Sequence, residues 1–187
     1  MGAQKRSYAV AAGLAGALLW LFASVGSALG EIEYQDASRV SPIPDWMVGV
    51  GIAAGAVLIA AFVQYSGVIG GRDRMGAAKV TILVGAAISL VPLWPFFVLG
   101  PFLVAIGFFS SALAAWLNRR RTVGVALHAF ALPLSIPSGG ALEAMGFDGE
   151  YGVVVFMTVL VLGIAWRASE ATDEGEAVAS LPEEAPA

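Results

Sequence analysis

The stretch VTILVGAAISLVPLWPFFVLGPFLVAIGFFSSALAAWL, residues 80–117, contains no charged residue. A membrane-spanning helix needs about 20 apolar residues, so these 38 uncharged residues are too many for one crossing and enough for two. Pro92, Pro95 and Pro101 lie near the middle of the stretch, where proline disfavours continuation of a helix. The stretch therefore predicts two helices joined by a tight turn next to Trp94.

The composition of the whole chain is that of a protein solvated by lipid. Hydrophobic residues make up 58% of the 187 residues and charged residues 13%, whereas a soluble domain carries about 25% charged residues. The mean hydropathy is +0.81. A soluble core of this length could not bury so much apolar surface. We therefore predict an integral protein of the cell membrane.

Other uncharged stretches extend this prediction to an all-α, polytopic bundle of six membrane helices within residues 1–168. The fifth span is short, and the others reach or approach the usual length for a crossing. The predicted spans are approximately 8–30, 46–70, 77–94, 100–118, 122–138 and 151–167.

The positions of the basic residues fix the predicted orientation. Lys and Arg concentrate in cytoplasmic loops, and six spans with a cytoplasmic N-terminus place nine of the ten basic residues on that side, with Arg39 as the exception. A miscounted span would scramble this segregation. We therefore predict that both the N-terminus and the C-terminus are cytoplasmic.

The two ends of the chain carry separate predictions. Residues 1–30 combine Lys5 and Arg6 with an apolar run and small residues, so they are either a retained span or a cleaved signal; the length of the run favours a retained span. Residues 169–187 contain six acidic residues, two prolines and no large apolar cluster. This composition predicts a disordered acidic cytoplasmic tail.

Two segments resemble each other, and two explanations of the similarity stay open: a duplicated hairpin and ordinary topology rules. Residues 72–92 and 119–137 both begin with arginines, continue through small and apolar residues, and end with serine shortly before proline. A duplicated helical hairpin would produce this pattern, as parallel repeats do in some transporters. Topology rules alone would also place arginine inside and proline outside in two unrelated hairpins.

His128 is the only histidine and the one candidate for cofactor binding. Ionisable groups inside membrane spans are rare, and each is by default a hypothesis about function. A neutral imidazole could ligate a haem or a metal, or carry a proton, but the sequence provides no second ligand near it. The alternative, which we favour, is a neutral histidine hydrogen-bonded to a serine, an asparagine or a backbone carbonyl of a neighbouring helix. The sequence predicts no catalytic residues, no metal site and no bound cofactor.

Small residues four apart predict where helices pack closely. Gly51 and Gly55 form a G-x-x-x-G pattern in the second span, and Ala12 and Gly16 have the same spacing in the first. Such pairs let helix backbones approach each other in membranes. We predict a helix-packing role for these four residues.

A cluster of three arginines predicts a contact with lipid. Arg119, Arg120 and Arg121 follow the fourth span, and basic residues at the membrane surface attract anionic headgroups. The expected partners are therefore membrane lipids and, in addition, other membrane subunits or further copies of the chain. No nucleic-acid partner is expected.

Three classes of function remain open from the sequence, and none rests on a recognised motif. The favoured class is an accessory or structural subunit of a membrane complex, since the helices are rich in small residues and poor in charge. The alternatives are a small transporter or channel for a small solute, and a haem- or metal-binding membrane protein that uses His128. Membrane enzymes usually show several ionisable residues converging near one interface, so a non-enzymatic role is favoured.

Overall fold

A computed structural model describes residues 3–28, 31–33, 38–40, 43–69, 74–91, 94–119, 122–146 and 151–179. In this part of the chain the structure is helical apart from one short ribbon. The helices are α1 (Ala3–Ala28), α2 (Asp45–Tyr65), α3 (Arg74–Ile88), α4 (Trp94–Leu117), α5 (Val123–Ala144) and α6 (Tyr151–Ala179), and the strands are β1 (Glu31–Glu33) and β2 (Ser38–Val40).

The predicted all-α bundle is confirmed, and four of its helices are long and apolar enough to cross a membrane. These stretches are Ser7–Gly26, Trp46–Tyr65, Leu99–Leu117 and Val123–Ala144. The apolar parts of α3 and α6 that the structure describes, Gly76–Ile88 and Gly152–Arg167, are shorter.

Neighbouring helices along the chain pack as antiparallel hairpins. In the first hairpin Gly13 lies against Phe62, whereas Gly26, near the other end of α1, lies against Ile43 just before α2. The pairs α3–α4 and α5–α6 pack in the same way, and further contacts join α2 to α3, α4 to α5, and α6 to α1. The six helices therefore form a ring in chain order, which α6 closes against α1.

One hydrophobic cluster fills the interior of this ring. It contains buried side chains from all six helices, among them Trp20, Phe62, Ile82, Phe108, Ala131 and Leu160. Large apolar side chains also face outward on every helix, including Phe22, Val57, Val84, Phe102, Phe130 and Leu162. An apolar interior combined with an apolar exterior is typical of helices that lipid surrounds.

The connection between α1 and α2 contains a small antiparallel ribbon. Strands β1 and β2 pair with Glu31 opposite Val40 and Glu33 opposite Ser38. An isolated two-stranded ribbon has little stability of its own. It adds a short ordered element to a connection for which the sequence predicts only a loop.

Several helix ends differ from the predicted boundaries. Helix α2 ends at Tyr65 and not at residue 70, because Ser66 accepts a hydrogen bond from the Val68 amide (3.2 Å) and Gly67 takes a positive φ of 72°, which glycine adopts without strain. Helix α3 ends at Ile88, before Pro92, and not at residue 94. Helix α4 begins at Trp94, whereas the fourth span was predicted to begin at 100, and it continues through Pro101.

The last two helices extend beyond their predicted ends. Helix α5 runs through Pro133 and Pro137 to Ala144, although the fifth span was predicted to end at 138. A proline removes one backbone hydrogen bond, and tertiary packing can maintain a helix in spite of that loss. Helix α6 continues to Ala179, whereas the sequence predicts disorder from 169; alanine and glutamate are good helix formers that can extend a helix already formed. Residues 180–187 lie outside the described residues.

The two similar segments occupy equivalent places in the ring. Segment 72–92 covers α3 and segment 119–137 covers most of α5, and each of these helices is the first helix of a hairpin. Duplication of a hairpin stays a prediction, and this placement is consistent with it.

Trp20 links α1 to α2 in the first hairpin. Its indole Nε1–H donates to the backbone carbonyl oxygen of Ile52 in α2 (2.6 Å), and the ring is almost completely buried. A Cβ atom at Gly55 would overlap the indole ring. The bulky ring of α1 therefore fits only because α2 carries a glycine opposite it.

We expect Trp20→Phe to lower the free energy of unfolding by about 1–2 kcal/mol, because one hydrogen bond and part of a buried ring are lost. Trp46 is the matched control, since it is exposed, and Trp46→Phe should change stability by less than about 0.5 kcal/mol. The measurement is equilibrium unfolding in mixed micelles of dodecyl maltoside and sodium dodecyl sulfate. Equal effects of the two substitutions would contradict the described role of Trp20.

Candidate functional site

His128 lies where α4, α5 and α6 meet. Helix α5 begins at Val123 because the Thr122 side chain accepts a hydrogen bond from the Val125 amide (3.3 Å), the arrangement of an N-cap. His128 follows little more than one turn later, and 1% of its surface is exposed. The ring is therefore held in the packed interior of the bundle.

Two neighbours define the position of the imidazole ring. The ring of Phe108 in α4 contacts it with a centroid separation of 4.9 Å and an angle of 48° between the ring planes. On the other helix, a Cβ atom at Gly163 would lie 2.7 Å from the imidazole Nε2, which is closer than van der Waals contact allows. Gly163 therefore provides the space in α6 that the histidine occupies.

The sequence predicts a hydrogen bond for the His128 ring, and the hydrogen bonding of its nitrogens differs from that prediction. Neither Nδ1 nor Nε2 has a hydrogen-bond partner among the described residues. The backbone carbonyl of Leu160 in α6 faces the imidazole, but outside the geometry of a hydrogen bond. A buried polar atom without a partner costs about 1–3 kcal/mol, and the nearby Leu160 carbonyl offsets part of that cost.

A buried arginine lies one helical turn from the contact between His128 and Gly163. Arg167 in α6 is almost completely buried and packs against Gly124 in α5, where a Cβ atom would lie 3.0 Å from the Arg167 amide nitrogen. Arg167 is also an electrostatic neighbour of His128. Arg167 and His128 therefore lie at neighbouring helical turns of the α5–α6 hairpin.

The sequence does not single out Gly163, Phe108 or Arg167, although part of the signal is readable. Gly124 and His128 are four residues apart in α5, and Gly163 and Arg167 are four apart in α6, so each pair lies on one face of its helix. When α5 and α6 are aligned as antiparallel helices, Gly124 faces Arg167 and Gly163 faces His128. An alignment of the two predicted spans would therefore reveal both contacts. Phe108 has no comparable local signal.

Three buried or half-buried serine hydroxyls bond within their own helices. Ser89 donates to the Gly85 carbonyl (2.9 Å), Ser111 to Phe108 (2.8 Å) and Ser135 to Leu132 (2.7 Å). Hydroxyls in membrane helices commonly bond one turn back in this way. Ser111, which is near His128 in the fold, therefore does not supply the missing partner of the imidazole.

The predicted packing residues lie mainly in the α1–α2 contact. Gly16, Gly51 and Gly55 are buried, and a Cβ atom at Gly16 would lie 2.8 Å from the Gly55 carbonyl oxygen. Ala12 is half-buried. A second close contact was missed: Gly85 of α3 faces Gly100 of α4, where a Cβ atom at Gly85 would lie 2.7 Å from the Gly100 carbonyl oxygen.

The arginine cluster after α4 is described only in part. Arg119 is exposed and takes a positive φ of 61°, the left-handed conformation in which many helices end. Arg120 and Arg121 lie outside the described residues. Contact of the three arginines with lipid headgroups stays a prediction.

Within the described residues no group of three His, Asp or Glu side chains could hold a metal ion. Comparison of the chain with protein-family models, with curated proteins and with solved structures found no match.

We expect Gly163→Ala to lower the free energy of unfolding by about 1–3 kcal/mol, because the added methyl group overpacks the imidazole. Gly140→Ala is the matched control in the same hairpin, since a Cβ atom there meets nothing within 4 Å. That control should be neutral or stabilising by up to about 1 kcal/mol, the helix preference of alanine over glycine. Unfolding in mixed micelles again supplies the measurement.

A double-mutant cycle isolates the contact between the two residues. In a His128→Ala background, Gly163→Ala should lose most of its penalty because the imidazole is no longer present. An unchanged penalty in that background would contradict the packing described for His128 and Gly163.

Proposed function

We propose that the chain is a multi-pass protein of the cell membrane, with six crossings and both termini in the cytoplasm, and that it acts as an accessory or structural subunit of a membrane complex. The segregation of the basic residues supports this orientation. The four long apolar helices support crossing of the bilayer. Helix α3 has 15 residues and measures about 22 Å, a mismatch that local thinning of the bilayer can accommodate.

The observation that carries the proposal is the contrast between a closed interior and an apolar exterior. Of the described residues, five polar or charged side chains are buried: Ser66, Ser89, Ser111, His128 and Arg167. No Asp or Glu is among the buried side chains of the described residues, which gives little support to the acid–base chemistry usual in membrane enzymes. The outward faces carry large apolar side chains on every helix, which suits contact with lipid and with other membrane helices.

The same interior weighs against a transporter. A solute path through a bundle needs polar groups that face it, whereas the buried hydroxyls of Ser89 and Ser111 donate to carbonyls of their own helices. The central cluster draws side chains from all six helices. Solute transport therefore has little support from the described residues.

One observation favours a second candidate function, a haem- or metal-binding membrane protein. Neither ring nitrogen of His128 has a hydrogen-bond partner among the described residues, so the unprotonated nitrogen of the neutral ring keeps a lone pair for a ligand, and imidazole is a common axial ligand of haem. One histidine would then act alone or with a ligand from a partner, because the described residues hold no further group of metal ligands. This candidate ranks below the accessory subunit.

Native mass spectrometry of the gently solubilised protein from its own host tests the proposal. We expect additional protein subunits in fixed stoichiometry, and the same stoichiometry for His128→Gln, since the imidazole lies inside the bundle. A monomer or a homo-oligomer without other subunits would contradict the accessory role. A retained mass near that of haem, lost in His128→Gln, would establish the second candidate in its place.

A further inference from the structure

Two contacts between a glycine and a large residue align α5 with α6. Gly124 of α5 faces Arg167 of α6. Four residues further along α5, His128 faces Gly163, which lies four residues back in α6. The large residue belongs to α6 in the first contact and to α5 in the second. The fit is therefore reciprocal, and it defines the height of α5 relative to α6.

A third contact shows that the same alignment continues along the hairpin. A Cβ atom at Gly152 of α6 would lie 3.0 Å from the Cα atom of Gly139 in α5. Gly139 follows His128 by eleven residues in α5, and Gly152 precedes Gly163 by eleven residues in α6. The two helices therefore keep one antiparallel register from Gly124 to Gly139.

The other residues on this side of α5 are small. Ala131, Ser135 and Gly139 follow His128 at the spacing of one helix side, and small side chains would also pack against α6 one turn higher or lower. Lipid provides no hydrophobic force that would set the relative height of two membrane helices. The register of the hairpin therefore depends mainly on the two contacts near the start of α5.

A displacement by one helical turn would remove the space that His128 occupies. The residues three or four positions from Gly163 in α6 are all large: Val159, Leu160, Trp166 and Arg167. After such a displacement the imidazole would meet one of these side chains where it now meets a glycine, and overpacking of this kind destabilises a helix contact. Within one turn of its present position, only Gly163 accommodates His128.

We propose that these two contacts, of His128 with Gly163 and of Arg167 with Gly124, form a register lock that prevents α5 from sliding along α6 by one turn. One-turn displacements of packed helices are a known class of conformational change, and a single buried polar residue can fix the register of two helices. The lock gives a physical reason for a histidine whose ring nitrogens have no hydrogen-bond partner among the described residues. It is a property of the hairpin and does not depend on the proposed function.

Loss of the imidazole permits a displacement in one direction. In His128→Gly, position 128 has room for the Arg167 side chain, and Leu132, one turn further along α5, fits into the space at Gly163. The opposite displacement would bring Gly124 against Gly163 and leave a cavity, which is unfavourable. The expected movement carries α5 along α6 by one turn, about 5–6 Å.

Pulsed electron paramagnetic resonance of the full chain in lipid nanodiscs measures this register. The chain contains no cysteine, so Val123→Cys in α5 and Val153→Cys in α6, two positions of equal exposure, carry the only nitroxide labels. In the present register the labelled positions lie about 22 Å apart along the hairpin axis. We expect a single distance in the doubly labelled parent and, in His128→Gly, a population whose distance is about 5–6 Å longer.

Two further variants distinguish a lost register from a general loosening of the hairpin. Leu132→Gly removes a half-buried side chain of similar size one turn along α5, and it should keep the single parent distance because both contacts of the lock remain. His128→Gly combined with Gly163→His exchanges the large and the small residue. This exchange should also keep the parent distance, since the contact is complementary again.

A single parent distance in His128→Gly, or the longer distance in Leu132→Gly as well, would overturn the register lock. If His128→Gly does not fold, the variant with the exchanged pair decides the matter. A folded protein with the parent distance then supports the lock, whereas an unfolded protein or a displaced label overturns it.

Discussion

The close approach of helix backbones at glycine residues is the constraint on which the rest of this structure depends. Gly16 and Gly55 bring α1 onto α2, Gly85 and Gly100 bring α3 onto α4, and Gly163 makes room for His128 between α5 and α6. Lipid provides no hydrophobic force that drives one apolar helix onto another, so close packing has to provide the association energy. The three hairpins then close into a ring whose interior holds one large cluster of apolar side chains from all six helices and a small second cluster between α4 and α5.

His128 stands out against this apolar interior. Its nitrogens are buried without hydrogen bonds, and Phe108 and Gly163 hold the ring in place. A leucine of similar size would avoid the cost of the unpaired nitrogens.

Hydropathy and charge predict the helices from the sequence well, but the breaks between them less well. The uncharged runs locate α1, α2, α4 and α5, and α3 ends at Ile88, four residues before Pro92 in the sequence. Pro101 and Pro137 look similar in the sequence, yet α4 and α5 continue through them, since a proline removes only one hydrogen bond from a helix that its neighbours support. Gly51 and Gly55 are readable from their spacing within one helix. The role of Gly163 depends on its partner in another helix, and the missing partner of His128 depends on the orientation of three helices, so neither could be predicted locally.

We propose that these six helices cross the membrane alternately, with both termini on the cytoplasmic side. The chain contains no cysteine, so single cysteines can be introduced without a background and labelled with a membrane-impermeant maleimide. We expect Pro44→Cys and Met145→Cys to react in intact cells, whereas Ser7→Cys and Asn118→Cys should react only after the membrane is permeabilised. Labelling of Ser7→Cys and Asn118→Cys from opposite sides, or of Pro44→Cys and Met145→Cys from opposite sides, would contradict the six-crossing bundle.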